Sequence, residues 1–185
     1  SDPSRLPYRT DISVGDLKFA LNVTAVRDAK GEYVGNVLEW DNVTTSRTND
    51  GILSALDRSQ AIIEFTLDGK ILKANENFLG AVGYRLEEIV GQHHSIFVDP
   101  KYAATPEYRS LWDKLGRGEF DAGKYKRITK SGEEIWIQAA YNPILDGNGK
   151  PFKVVKFATD ITQSEIETNE NRAKIEAISR SQAVI

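Results

Sequence analysis

The stretch DGKILKANENFLGAVGYRLEEIVGQHHSIFVDP, Asp68 to Pro100, decides the fold. It opens on Asp68-Gly69, a pair suited to a tight hairpin because both residues tolerate the left-handed backbone such turns require. Apolar-rich runs flank the pair, Ile62 to Phe65 before it and Lys70 to Ala74 after it, so two strands are expected. Asn75 follows as a helix N-cap, its side-chain oxygen placed to accept from the free amides of the turn beginning Glu76-Asn77-Phe78. Short helical pieces are expected at Phe78 to Val82, Leu86 to Val90 and His94 to Phe97. A longer helix from Pro106 to Leu115 stacks Tyr108, Leu111, Trp112 and Leu115 on one face.

From Phe120 the apolar period changes to two. Lys124 to Thr129 and Glu133 to Tyr141 flank the turn Lys130-Ser131-Gly132, and Asp146-Gly147-Asn148-Gly149 leads into a last strand, Phe152 to Ala158. On the strand Ile135 to Tyr141, the residues Ile135, Ile137, Ala139 and Tyr141 share one face and Trp136 and Gln138 the other. Two strands, helices and three strands predict an α+β fold, a five-stranded antiparallel sheet with helices on one face.

Outward from this core the chain repeats itself. LSALDRSQAII (Leu53 to Ile63) recurs as IEAISRSQAVI (Ile175 to Ile185), offset by 122 residues. Leu17 to Thr44 resembles Ile135 to Thr162 in its strand, glycine turn, strand and closing Asn/Asp-Val/Ile-Thr. Both connectors read as helices, with Leu53, Leu56, Gln60 and Ile63, and again Ile175, Ile178, Gln182 and Ile185, at 3-4-3 spacing. Thr44 to Arg58 spans 14 residues and Thr162 to Arg180 spans 18, a difference close to one helical turn of about 3.6 residues. The expected organisation is residues 1–44 as the last strands of a preceding module, 45–59 as a helical linker, 60–162 as a complete module, and 163–185 as an outgoing helix.

The composition, 40% hydrophobic and 28% charged, is that of a globular chain. A net charge of −3 without a basic run argues against nucleic-acid binding, and no apolar run reaches the roughly 20 residues of a membrane span. A cytoplasmic segment without membrane insertion is expected. Cysteine is absent, which removes thiolate ligands and nucleophiles, and the adjacent His93 and His94 diverge by about 100° on a helix and make no convergent metal pair. Glu87-Glu88 and Glu133-Glu134 read as solvated faces, so no catalytic residue is assigned and the segment is not expected to be an enzyme.

The Asp68–Pro100 string, Trp112, the hairpins of GEFDAGKYKRITKSGEEIWIQAAYNPILDGNGKP and the closing FATDIT together resemble a PAS domain. The resemblance is strongest to PAS modules of bacterial methyl-accepting chemotaxis receptors, aerotaxis receptors among them, and runs from Gln60 to Thr162, with the last two strands of a preceding PAS in residues 12–44. It implies a sensory module that relays redox state, oxygen or a small ligand through a dimeric helix. The implied partners are a second copy through helices and sheet face, a receptor signalling domain, a coupling protein and a histidine kinase. The alternative is a cofactor-free sensor and dimerisation module of a histidine kinase or cyclic-dinucleotide enzyme.

The resemblance also implies a cofactor between sheet and helices, FAD in the complete module, with haem or none as alternatives. Its site residues would be Asn75, His94, Trp112, Ile137 and Tyr141, with Trp40 in the distal-pocket position of the preceding half module. Several positions depart from the family. Light-sensing flavin domains need an adduct-forming cysteine, absent here; Val98 beside Asp99 replaces the arginine that would meet a pyrophosphate; and Val98 and Ala158 replace the His and Trp of haem-binding relatives. For Trp112 the plainer expectation is a core residue. His93 is expected to face solvent and His94 to satisfy backbone groups.

Overall fold

The computed structural model describes residues 5–182. The chain divides into two compact units, residues 1–56 and 57–185.

In the first unit, β1 (Tyr8–Val14), β2 (Leu17–Arg27) and β3 (Tyr33–Asn42) form an antiparallel sheet in chain order, followed by α1 (Thr44–Ser59). Two strands are expected from residue 12 onward, whereas β1 adds a third by pairing its whole length with Leu17 to Val23. None of the described residues of this unit is buried, so the sheet has no core of its own.

The second unit contains β4 (Ala61–Phe65), β5 (Ile71–Ala74), α2 (Glu76–Val82), α3 (Leu86–Ile89), a 3-10 turn (His94–Phe97), α4 (Pro100–Ala103), α5 (Pro106–Gly116), β6 (Asp121–Ile128), β7 (Glu134–Leu145), β8 (Pro151–Asp160) and α6 (Thr162–Gln182). Its five strands form the one antiparallel sheet expected from the sequence, in the order β5-β4-β8-β7-β6. The first and last strands meet at the centre, Ala61 opposite Ala158 and Phe65 opposite Val154. One face carries the core, with Ile63, Phe65, Ile71, Ile89, Leu115, Tyr141 and Val154 almost fully enclosed. Tyr108, Leu111, Trp112 and Leu115 all lie on the buried side of α5, as their spacing predicts. The helix α4 was not foreseen; Asp99 caps it by accepting from Lys101 N–H, and Pro100 stands at its first position. No helix among the described residues is long and apolar enough to cross a membrane.

The strand-to-helix junctions of the two units are the same device. At the end of β8, Asp160 Oδ1 accepts from Thr162 N–H at 2.8 Å and from its hydroxyl at 2.6 Å, while Thr162 Oγ1 accepts from Trp136 N–H at 2.9 Å. At the end of β3, Asn42 Oδ1 accepts from Thr44 N–H at 3.1 Å and from its hydroxyl at 2.7 Å, while Thr44 Oγ1 accepts from Lys18 N–H at 2.8 Å. The hydroxyl thus ties the first residue of the outgoing helix to the neighbouring strand. The second copy of the Ser-Gln-Ala repeat runs past Gln182 to Ile185, outside the described residues.

Candidate functional site

Five of the six residues marked from the sequence lie in the second unit. Asn75 caps α2 as its position predicts, its Oδ1 accepting from Phe78 N–H at 3.0 Å and also from Ile62 N–H at 2.9 Å. Its amide donates to Asp57 O at 2.9 Å and Gln60 O at 2.8 Å, so both donors and both acceptor positions of the side chain are engaged. Asn77 Nδ2 reaches Asp57 O, Arg58 O and Gln60 O at 3.1–3.2 Å. Trp112, 8% exposed, meets Phe65 and His94 edge to face with centroids 5.5 Å away in each case. Ile137 and Tyr141 sit inward on β7, in the phase the alternation gave. Trp40 lies apart in the first unit, half-exposed, with Phe19 against its edge at 6.0 Å.

Both histidines depart from expectation. His93 is half-buried; its Nδ1 accepts from Ser95 N–H at 3.1 Å and its ring lies 5.8 Å from Trp112. His94 is fully buried and joined to side chains: Nδ1 to Tyr108 Oη at 2.8 Å and Nε2 to Tyr141 Oη at 3.0 Å. Arg127 Nη2, which can only donate, reaches the same Tyr141 oxygen at 2.8 Å. The Tyr141 hydroxyl keeps its own proton while it accepts from Arg127, and in the tautomer where it donates that proton to Nε2, Nδ1–H donates to Tyr108. Arg127, His94, Tyr141 and Tyr108 form one buried polar chain across the helical layer and the sheet. Burial, then the charges of Arg127 and Lys156, holds the His94 imidazole well below its usual range, so it is neutral at pH 7. Burial pushes the Tyr108 hydroxyl up to about 12.

Lys156, which the sequence reading passed over, is the most unusual group. It points inward from β8 between Val154 and Ala158, is fully buried, and its Nζ has no hydrogen-bond partner. Two rings flank the amine, Tyr141 at 4.9 Å and Phe78 at 5.6 Å from their centroids. Burial, with Arg127 second, depresses the amine far below an ordinary lysine. Arg127 Nε is likewise buried without a partner. Both groups line a core cavity of about 20 Å³ with Phe78, Val82, Phe97 and Ile137.

That volume tests the cofactors implied by the family. Cofactor pockets run to roughly 300–1,000 Å³, and here the space is filled by the rings of Phe65, His94, Trp112, Tyr108 and Tyr141. As packed, the interior does not fit an isoalloxazine or a porphyrin. Both ring nitrogens of His94 are engaged by tyrosine hydroxyls, leaving no lone pair for iron.

Residues 71–158 match the PAS fold family. These residues are a PAS domain. The chain is 47% identical over 133 residues to the biofilm dispersion protein BdlA of Pseudomonas aeruginosa, an alignment covering 72% of this chain and 32% of that protein. It is 30% identical over 100 residues to the aerotaxis receptor of Escherichia coli, covering 54% of this chain and 19% of the receptor. The chain thus spans a third or less of these curated relatives. Among solved structures, a light-oxygen-voltage domain studied with a flavin analogue superposes with a TM-score of 0.54 at 21% identity, over 68% of this chain and 96% of that one. This last likeness is one of fold. The PAS domain here is related in sequence to chemotaxis and biofilm dispersion proteins.

Proposed function

We propose that the chain is a non-enzymatic sensory segment of a chemoreceptor-like protein, in which the PAS domain reports the state of its core through α6. The observation that carries this reading is the shared junction. Asp160-Ile161-Thr162 and Asn42-Val43-Thr44 each bind the first turn of a helix to the adjacent strand through the same three hydrogen bonds. A change in the position of β7 or β8 is therefore delivered to the helix start. Lys124, on β6, adds an ion pair to Glu165 in the first turn of α6 at 2.5 Å.

On this reading residues 1–44 are the closing strands of a preceding PAS module, 45–59 the linker, 60–162 the complete module and 163–185 the outgoing helix. Asn75 and Asn77 serve the incoming helix rather than a cofactor, since their amides bind the carbonyls at the end of α1. Exposed Ile175 and Ile178, three residues apart on one face of α6, support pairing with a second copy, and signal passes to a receptor signalling domain, its coupling protein and a histidine kinase. Filled packing around His94 favours a colourless ligand over FAD or haem.

Two measurements test the proposal. The purified protein should lack a Soret band and the paired blue bands of flavin, and either would overturn the colourless-ligand part. In the full-length parent protein, inserting one to four residues within α6 should alter kinase output with helical phase, one or two residues disrupting it and three or four restoring it. Output that declines steadily with insertion length would sink the helical relay.

A further inference from the structure

We propose that the core cavity of the PAS domain receives a small anion, such as nitrate, nitrite, formate or a halide, held between Lys156 Nζ and Arg127 Nε. This rests on the sensory reading above and names the ligand class of its site. Two nitrogen donors from different strands, both buried and both without an acceptor, line one cavity. Buried donors are nearly always paired, because an unmade hydrogen bond in a dry interior costs about 1–3 kcal/mol, so two facing one space mark a missing acceptor. Two side chains whose charged forms are cationic, neither of them ion-paired to a carboxylate among the described residues, call for a negative partner. Asp160 lines the cavity at its edge, where the amide and hydroxyl of Thr162 hold its Oδ1, and it forms no ion pair with either side chain.

In the internal repeat the matching positions are apolar. Where the PAS domain has Lys156, the first unit has Leu38 in the matching place on its last strand. Arg127 pairs with Ile135, and its counterpart by strand register is Val14, which pairs with Leu17. At about 20 Å³ the cavity admits an occupant of one or a few non-hydrogen atoms, which excludes dicarboxylates and phosphate esters.

Binding should be coupled to protons. The titratable or charged groups around the amine are Arg127 on β6, Tyr141 on β7, His94 on the 3-10 turn and Asp160 at the end of β8; α2 contributes the apolar Phe78 and Val82. Burial holds the Lys156 amine well below an ordinary lysine, and an anion beside it would favour its protonated form, so affinity should rise as pH falls.

The test is calorimetric titration of the whole chain in chloride-free buffer with sodium nitrate, nitrite, formate and chloride, and sulfate as the oversized control. We expect saturable binding of at least one small anion, none of sulfate, net proton uptake with the anion in buffers of different ionisation heat, and at least tenfold weaker binding in Lys156→Met. Absence of saturable binding for all four anions, or binding without proton uptake, would overturn the inference on the unmodified protein; equal affinity in Lys156→Met would do the same. Should the anions fail while output still follows the phase of α6, the ligand class alone falls. Anion binding with output indifferent to that phase would leave the site standing and remove the sensory reading.

Discussion

A lysine amine without an acceptor, closed between the rings of Phe78 and Tyr141, lowers the stability of the domain at neutral pH. Its folded pKa lies well below that of the unfolded chain, so between those two values the unfolded state holds the extra proton and stability rises with pH, by up to about 1.4 kcal/mol per unit. In anion-free buffer the urea midpoint should therefore climb from pH 7 to 9.5, and Lys156→Met should be more stable at pH 7 by about 1–3 kcal/mol with a flatter profile. A midpoint independent of pH in the wild type would contradict this. His94 has the same sign in a lower window: its contribution is intact above about pH 6.5 and is lost as pH falls further. Tyr141→Phe removes the shared hydroxyl from both Arg127 and His94 and should cost about 1–3 kcal/mol in the same urea assay. Gly69→Ala should be comparably damaging: φ is +83°, and a Cβ would lie 2.6 Å from His93 Nε2 and 2.9 Å from Trp112 Cε2, a strain that should also change the near-ultraviolet dichroism of Trp112. Some of this was legible beforehand. Asn75 as an N-cap and the inward phase of Ile137 and Tyr141 follow from neighbours in sequence. The bonds of His94 do not, because its partners stand 14 and 47 residues away, and Lys156 was hidden because alternation marks an inward position only when an apolar residue occupies it.

At the level of elements, the junction between β8 and α6 depends on two side chains with separable roles. Asp160→Ala removes the acceptor for Thr162 N–H and should cost about 1 kcal/mol, as losing a helix cap does. Thr162→Val removes the oxygen that accepts from Trp136 N–H on β7 and so uncouples the helix from the sheet. Amide exchange should show faster opening of the first turn of α6 in both variants, and faster exchange at Trp136 in Thr162→Val alone; unchanged Trp136 exchange would deny that the threonine links the two. The closing Asp-Ile-Thr was readable from the chain because capping is local. Pro100–Ala103 was not, since four residues carry too little periodicity, although Asp99 before Pro100 is the signature of a capped first turn. β1 was legible as well: Tyr8, Thr10, Ile12 and Val14 alternate strictly with Arg9, Asp11 and Ser13, the period of a strand, and the pairing with β2 bears that period out.

For the molecule as a whole, the contrast between the units turns on where apolar surface is covered. The PAS domain closes a sheet over Ile63, Phe65, Leu115, Tyr141 and Val154, whereas the described residues of the first unit include none that is buried, and Val14, Leu17, Leu38 and Trp40 are exposed on its sheet. A two- or three-stranded sheet without a packed face is marginal in water, since its backbone hydrogen bonds gain little over those to solvent. Residues 57–185 alone should therefore unfold at the same denaturant midpoint as the cooperative transition of the full chain. Residues 5–56 alone should show no cooperative transition. In the full chain, amides of β2 should exchange with solvent orders of magnitude faster than those of β7 and β8. Slow exchange in β2 matching that of β8 would show that the first sheet is covered after all, and its dependence on protein concentration would then say whether a second copy supplies the cover.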